Sequence, residues 1–166
     1  MSTSTILTRL AADHRDVAKL FAELEKTTER SGKKRQELFA EVDNALSVHA
    51  DFEEARVYPL LEGKKSSQPT ALEAVEEHLQ IKRLLFELRG LDPQDAHWTA
   101  KMTVLMENVR HHVKEEEGEA FPQLKKAVPA SELEELGDEY QAIRANAQAP
   151  VAKHAVRTRD RSPMAV

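Results

Sequence analysis

Apolar residues recur along this chain at steps of three and four. Leu7, Leu10, Val17, Phe21 and Leu24 form a first stripe at those steps or their sum, the spacing of an amphipathic helix. Ser4 is placed to cap it and the Ser31-Gly32 pair to stop it. Leu38, Val42, Leu46, Val57 and Leu60 predict a second helix from about Lys33 to Leu61. Beyond the loop signal Gly63-Lys64-Lys65-Ser66-Ser67-Gln68-Pro69, the pattern predicts a third helix that starts near Pro69 or Thr70, buries Leu72, Val75, Leu85 and Leu88, and ends around Gly90-Leu91. Asp92 is placed to cap a fourth, with Pro93 in its first turn, where a missing N–H costs nothing. Trp98, Met102, Leu105, Val109 and Leu124 give that helix its core face. Pro59 and Pro122 fall near the ends of the second and fourth helices and predict kinks or stops there. Ser131-Glu132-Leu133-Glu134 reads as a capping box opening a shorter helix to about Ala147.

Short connections between four long helices favour antiparallel neighbours. The expected fold is therefore all-α: an antiparallel up-down-up-down four-helix bundle with a short additional C-terminal helix. It would occupy residues 1–147, followed by a flexible polar tail over 148–166 that carries Arg157, Arg159 and Arg161.

Composition narrows the chemistry. The 166 residues suit one domain. A net charge of −5 is a poor start for phosphate binding, so no nucleic-acid partner is expected. No stretch approaches the ~18 apolar residues of a membrane span, and Met1 to Leu10 lacks the form of a secretory signal. The absence of cysteine excludes disulfides, thiolate zinc sites and cysteine-ligated clusters. It fits a reducing, cytoplasmic setting.

What interrupts the apolar stripes is more informative. His14 falls in the first stripe, and in the second helix Val42–Leu46 continues into His49 and then Glu53. His78 follows Val75 on the third helix, and on the fourth Leu105–Val109 continues into His112 and then Glu116. Residues i and i+4 share a helix face with Cβ atoms ~6 Å apart. His49/Glu53 and His112/Glu116 can each present an imidazole and a carboxylate to one point, which is how bundle cores build dinuclear sites. Burying four histidines and two carboxylates without a cation would cost several kcal/mol per ion.

The pattern is also repeated. A shift of 63 residues (112 − 49) superposes His49-Ala50-Asp51-Phe52-Glu53-Glu54-Ala55-Arg56-Val57-Tyr58-Pro59 on the segment from His112 to Pro122. The histidine, both glutamates and the proline are identical, an aromatic precedes each proline, and His14 and His78 share almost the same offset. A site with two pseudo-equivalent halves follows. Glu54 and Glu117 repeat too, but helical phase turns them away from the centre, towards surface charge or hydrogen bonding to a histidine. Tyr58 lies off the ligand face of a straight helix. A kink before Pro59 would swing it in as a ligand or proton donor, and otherwise it packs. His97, His111 and His154 read as surface or loop residues, Trp98 and Met102 as core.

These residues resemble the hemerythrin, or HHE cation-binding, family, whose signature is H…HxxxE…H…HxxxE on a four-helix bundle; the resemblance spans about Ile6 to Leu124. It implies that His14, His49, Glu53, His78, His112 and Glu116 hold two iron ions, bridged by the glutamates and by a solvent-derived oxo or hydroxo group. Manganese is the second choice of metal. Oxygen-carrying members have a fifth histidine one turn from that of the third helix, where this chain has Ala74 and Lys82. The departure favours peroxide or dioxygen chemistry over reversible carriage. The C-terminal Leu133-Glu134-Glu135-Leu136-Gly137-Asp138 also resembles a branch associated with catalase-like, oxidative or nitrosative stress roles. Hydrogen peroxide, dioxygen and nitric oxide are the expected small-molecule partners, and a monomer or weak homo-oligomer the expected state. Non-catalytic sensing of dioxygen or nitric oxide, iron storage or delivery, and a metal-free interaction bundle are the alternatives.

Overall fold

A computed structural model describes residues 5–147. Ser4, His154 and the predicted tail over 148–166 lie outside the described residues. Every regular element described is helical: α1 (Ile6–Glu25), a 3₁₀ turn (Glu29–Ser31), α2 (Gly32–Phe52), a π-turn (Glu53–Val57), α3 (Tyr58–Glu62), α4 (Gln68–Arg89), α5 (Ala96–Glu115), a second π-turn (Glu116–Ala120), α6 (Phe121–Ala127) and α7 (Ala130–Ala147). No helix among the described residues is long and apolar enough to cross a membrane.

Several helix ends differ from the sequence expectation, each for a reason visible in its hydrogen bonds. Thr5 caps α1, its hydroxyl accepting from the Thr8 N–H at 3.4 Å. The helix stops at Glu25, well before Ser31-Gly32, where the Thr27 hydroxyl takes up the Leu24 carbonyl at 2.6 Å. Ser31 and Gly32 instead open α2, as Thr28 and Ser31 make a capping box around the intervening turn. Asp95, not Asp92, caps α5 and accepts from the His97 N–H at 2.7 Å. The buried Arg35 guanidinium explains the delay. It donates to the Pro93 carbonyl at 2.9 Å and to the Thr99 hydroxyl at 3.0 Å, holding Pro93 out of the helix. Ser131 is no cap either: Leu133 N–H already bonds the Pro129 carbonyl, so α7 begins at Ala130.

Pro59 and Pro122 do not end their helices. Each follows a π-turn, in which the Tyr58 N–H reaches Glu53 O and the Phe121 N–H reaches Glu116 O. The widened turn carries the chain past the proline, whose ring and missing N–H would break a regular α-helix. It also changes the phase of everything downstream. At 3.6 residues per turn, Tyr58 would lie roughly 140° from Glu53, and the π-turn returns it to the same side.

Packing separates two apolar clusters. One holds Ile6, Leu10, Tyr58, Leu61, Leu124 and Tyr140, the other Val17, Phe21, Leu85, Leu88, Trp98 and Leu105. His14 lies between Leu10 in the first cluster and Val17 in the second, and His78 between Ala74 and Ile81. His49 and His112 are crossed in the opposite order, from Leu46 to Phe52 and from Val109 to Ala120. The buried polar residues thus occupy a layer between two hydrophobic ones. Leu72 is a correction to the expected core, being 51% exposed. The inner face of α4 uses the small Ala71 and Ala74 at that level, and Leu72 shares the outer face with Leu79 and Phe86.

Candidate metal centre

All six histidines and glutamates picked out by the broken stripes converge in this layer. His14 comes from α1, His49 from α2, His78 from α4 and His112 from α5. Glu53 and Glu116 each open a π-turn. They form two compact groups, His14–His49–Glu116 and Glu53–His78–His112, each with donor atoms within 4.8 Å of one another. In the first, His14 Nε2 lies 3.2 Å from His49 Nε2 and 3.2 Å from Glu116 Oε2. In the second, His78 Nε2 lies 3.0 Å from His112 Nε2 and 3.5 Å from Glu53 Oε2. The groups share edges, with Glu53 Oε2 3.1 Å from His49 Nε2 and Glu116 Oε2 3.7 Å from His112 Nε2.

These spacings fit a bound cation. Bonds of about 2.1 Å put two donors roughly 3.0 Å apart at a right angle and 3.4 Å apart at a tetrahedral one. Proton placement points the same way. His14 Nδ1 donates to Glu117 Oε1 at 2.7 Å, His49 Nδ1 to Asp13 Oδ2 at 3.4 Å, His78 Nδ1 to Glu54 Oε1 at 3.0 Å, and His112 Nδ1 to Glu77 Oε2 at 2.6 Å. Ionised carboxylates only accept, so every neutral ring keeps its proton on Nδ1 and turns a lone pair inward from Nε2. Facing lone pairs repel unless a cation or proton lies between them. Glu53 Oε1 and Glu116 Oε2 are also buried with no hydrogen-bond partner, a costly state that a cation relieves.

Without a cation the layer is electrostatically crowded. Burial pulls the His49 imidazole down, but Glu53, Asp13 and Glu116 outweigh it and push it up to about 10. His78 is driven down to about 3, by burial first and then by the positive charge available at His112. Burial and the neighbouring Glu116 charge raise Glu53 above the usual carboxylate range.

Tyr58 is brought in by the π-turn. Its hydroxyl donates to Glu116 Oε1 at 3.0 Å and lies 3.3 Å from His78 Nε2 and 3.4 Å from Glu53 Oε2. The side chain is fully buried, and burial with the two carboxylates pushes its pKa far upward, so the phenol keeps its proton. Phe121, its repeat counterpart, stacks on His14 at 5.9 Å between ring centroids. Here the two halves differ: a hydroxyl in one, a bare ring in the other.

Glu54 and Glu117 hold ring protons, one of the two roles the sequence leaves open for them. Asp13 and Glu77 do the same and were missed, although a signal exists. Each directly precedes a site histidine, and they are 64 residues apart (77 − 13), the offset of His14 and His78. The acid–histidine pair is therefore part of the repeat. Tyr140 and Arg144, from α7, both donate to Asp13. No local pattern announces them, since they meet Asp13 only through the packing of α7 on α1. His97 is exposed as expected, and Trp98 and Met102 are core.

The chain is similar to known proteins in sequence and in fold. A curated "DNA nickase" from Nostoc sp. (strain PCC 7120 / SAG 25.82 / UTEX 2576) is 27% identical over 136 residues, which cover 82% of this chain and 38% of that protein. The chain thus spans well under half of that relative. Among solved structures, a hemerythrin HHE cation binding domain-containing protein from Mycobacterium kansasii superposes with a TM-score of 0.70, at 24% identity and 83% coverage of each chain. That likeness concerns the fold. The family described as hemerythrin HHE cation binding domain matches residues 5–124, which contain all six converging side chains. The chain belongs to the hemerythrin HHE cation-binding domain family.

Proposed function

We propose that the chain holds two iron ions, one in each His–His–Glu group, and consumes hydrogen peroxide in a catalase-like reaction. The observation that carries this reading is the set of four inward Nε2 atoms, each ring held from behind at Nδ1 by a carboxylate. Metal-binding histidines are held in this way, and the arrangement recurs on α1, α2, α4 and α5. A mixed imidazole and carboxylate set suits iron, with manganese second. An up-down-up-down course of the four long helical runs accounts for the opposite order in which successive runs cross the polar layer. We place the activity in a reducing cytoplasm, consistent with the cysteine-free sequence.

The iron pair, when bound, would supply the electron exchange that disproportionates two peroxides into dioxygen and two waters, without an external reductant. The chain's own residues choose the substrate and manage its protons. Beside the four histidines lies a cavity of about 20 Å³, walled by Val17, Leu46, Ile81, Val109 and Val113 among others. It has room for about one water-sized molecule. Peroxide, dioxygen and nitric oxide, with two heavy atoms each, come closest to that size. On the carboxylate side, the Tyr58 hydroxyl donates to Glu116, and bound cations would offset the carboxylate charge that helps to hold its proton, letting it pass to an arriving oxygen. General acid catalysis of this kind is worth 10²–10⁴-fold.

The same cavity favours a second reading, non-catalytic binding of dioxygen or nitric oxide. The relative's nickase activity is not carried over, because the match covers 38% of that protein and this chain's charge is −5. Oxygen evolution from iron-loaded protein and peroxide separates the readings. The account predicts sustained turnover at one dioxygen per two peroxides, and a Tyr58→Phe rate lower by ~100-fold with iron retained. Loaded protein that evolves no oxygen leaves the binding role. An unchanged Tyr58→Phe rate assigns that residue to packing.

A further inference from the structure

We propose that the chain carries a third, outer cation site formed by Glu77, His111 and Glu115, and that divalent metal reaches the inner centre through it. This rests on the metal-holding reading above. His111 Nε2 lies 3.4 Å from Glu77 Oε1 and 3.2 Å from Glu115 Oε1, and one donor atom from each of the three residues falls within 4.8 Å of the others. His111 and Glu115 are one turn apart on α5, while Glu77 reaches across from α4. The His111 side chain is 63% exposed, so a hydrated cation meets it without any rearrangement. With only three protein donors, water keeps the remaining positions and exchange stays fast. Such a site suits passage better than storage.

An exposed histidine–glutamate pair one turn apart is ordinarily a weak surface contact. Two features set this one apart. Glu77 faces both ways: Oε1 points to His111, while Oε2 accepts the Nδ1 proton of the inner His112 at 2.6 Å. Beside it runs a narrow cavity of about 20 Å³, lined by Glu73, Glu77, Glu115 and Glu119 and reaching His112 and Glu116. At its inner end the Glu116 side chain is 1% exposed, and its Oε2 is without a hydrogen-bond partner. Carboxylates therefore run from the surface to a buried acceptor, a gradient that concentrates cations. The cavity on the histidine side is lined by one carboxylate, Asp13, which Tyr140 and Arg144 already engage. Cations and neutral small molecules thus have separate ways in.

The test uses the full-length, metal-free chain and cobalt(II), followed by its visible absorption at equilibrium and by stopped flow. The expected result is two tightly bound equivalents and a third, weaker one. His111→Ala, at an exposed position, and Glu115→Gln, at a half-buried one, should lose the third equivalent yet reach the same two tight ones, at least ten times more slowly when cobalt is limiting. Uptake at the wild-type rate in both variants overturns the proposal, whether or not the third equivalent persists. Wild-type protein that binds no cobalt tightly overturns the inner-centre reading itself, a distinct outcome.

Discussion

Replacing His112 with alanine should lower the metal content from two ions per chain to one or none, with the helices intact. The residue supplies one of three donors in its group and is buried. Loss of outer-shell partners alone costs 10–100-fold in affinity, so loss of a donor should cost more than ~100-fold. His49→Ala should do the same from the other group. Glu53 and Glu116 lie near histidines of both groups, so the two ions should leave together or nearly so. Elemental analysis after dialysis, with far-ultraviolet circular dichroism, reads both quantities. Full metal retention in both variants would show that the donor set is wrong. Helicity lost in the variants but kept by metal-stripped wild-type protein would show that the histidines serve the fold.

Stripping the metal should lower the melting temperature substantially, more so at higher pH. Any ligand that binds only the folded state stabilises it by mass action, by about 4 kcal/mol at a thousand times its Kd. For a chain of this size each kcal/mol is worth ~2–4 °C, so a fall of about 10 °C is expected on chelation near neutral pH. The sign with pH follows from the groups that must give up protons. In the metal-free layer the neighbouring carboxylates raise His49 to about 10, and burial raises Glu53. Binding then expels those protons, and metal affinity climbs with pH. The gap between loaded and stripped melting temperatures should narrow on acidification. A gap that is constant across pH 5–8 would mean that no proton is displaced, contrary to the layer's electrostatics.

How much of this was legible in sequence depended on the range of the interaction. Helical periodicity revealed the long helices, and the six converging side chains stood out because each broke an apolar stripe. Glu54 and Glu117 could be read from the repeat, whereas Asp13 and Glu77 were overlooked within the same repeat. Helix ends were misread where a side chain from elsewhere decided them, as Arg35 does by holding the Pro93 carbonyl. Leu72 looked like core because spacing alone cannot separate adjacent positions when alanines carry the close contact. The π-turns were anticipated only as kinks, so the position of Tyr58 stayed open. Tyr140 and Arg144 depend on a contact more than a hundred residues apart in sequence, which no local pattern encodes.

Whether this layer is a dinuclear iron centre is read by metal analysis of the purified chain, paired with its visible absorption before and after peroxide. The account predicts about two irons per chain with an absorption band that peroxide perturbs. Protein that carries no stoichiometric metal, and takes up none when iron(II) is supplied anaerobically, would contradict it.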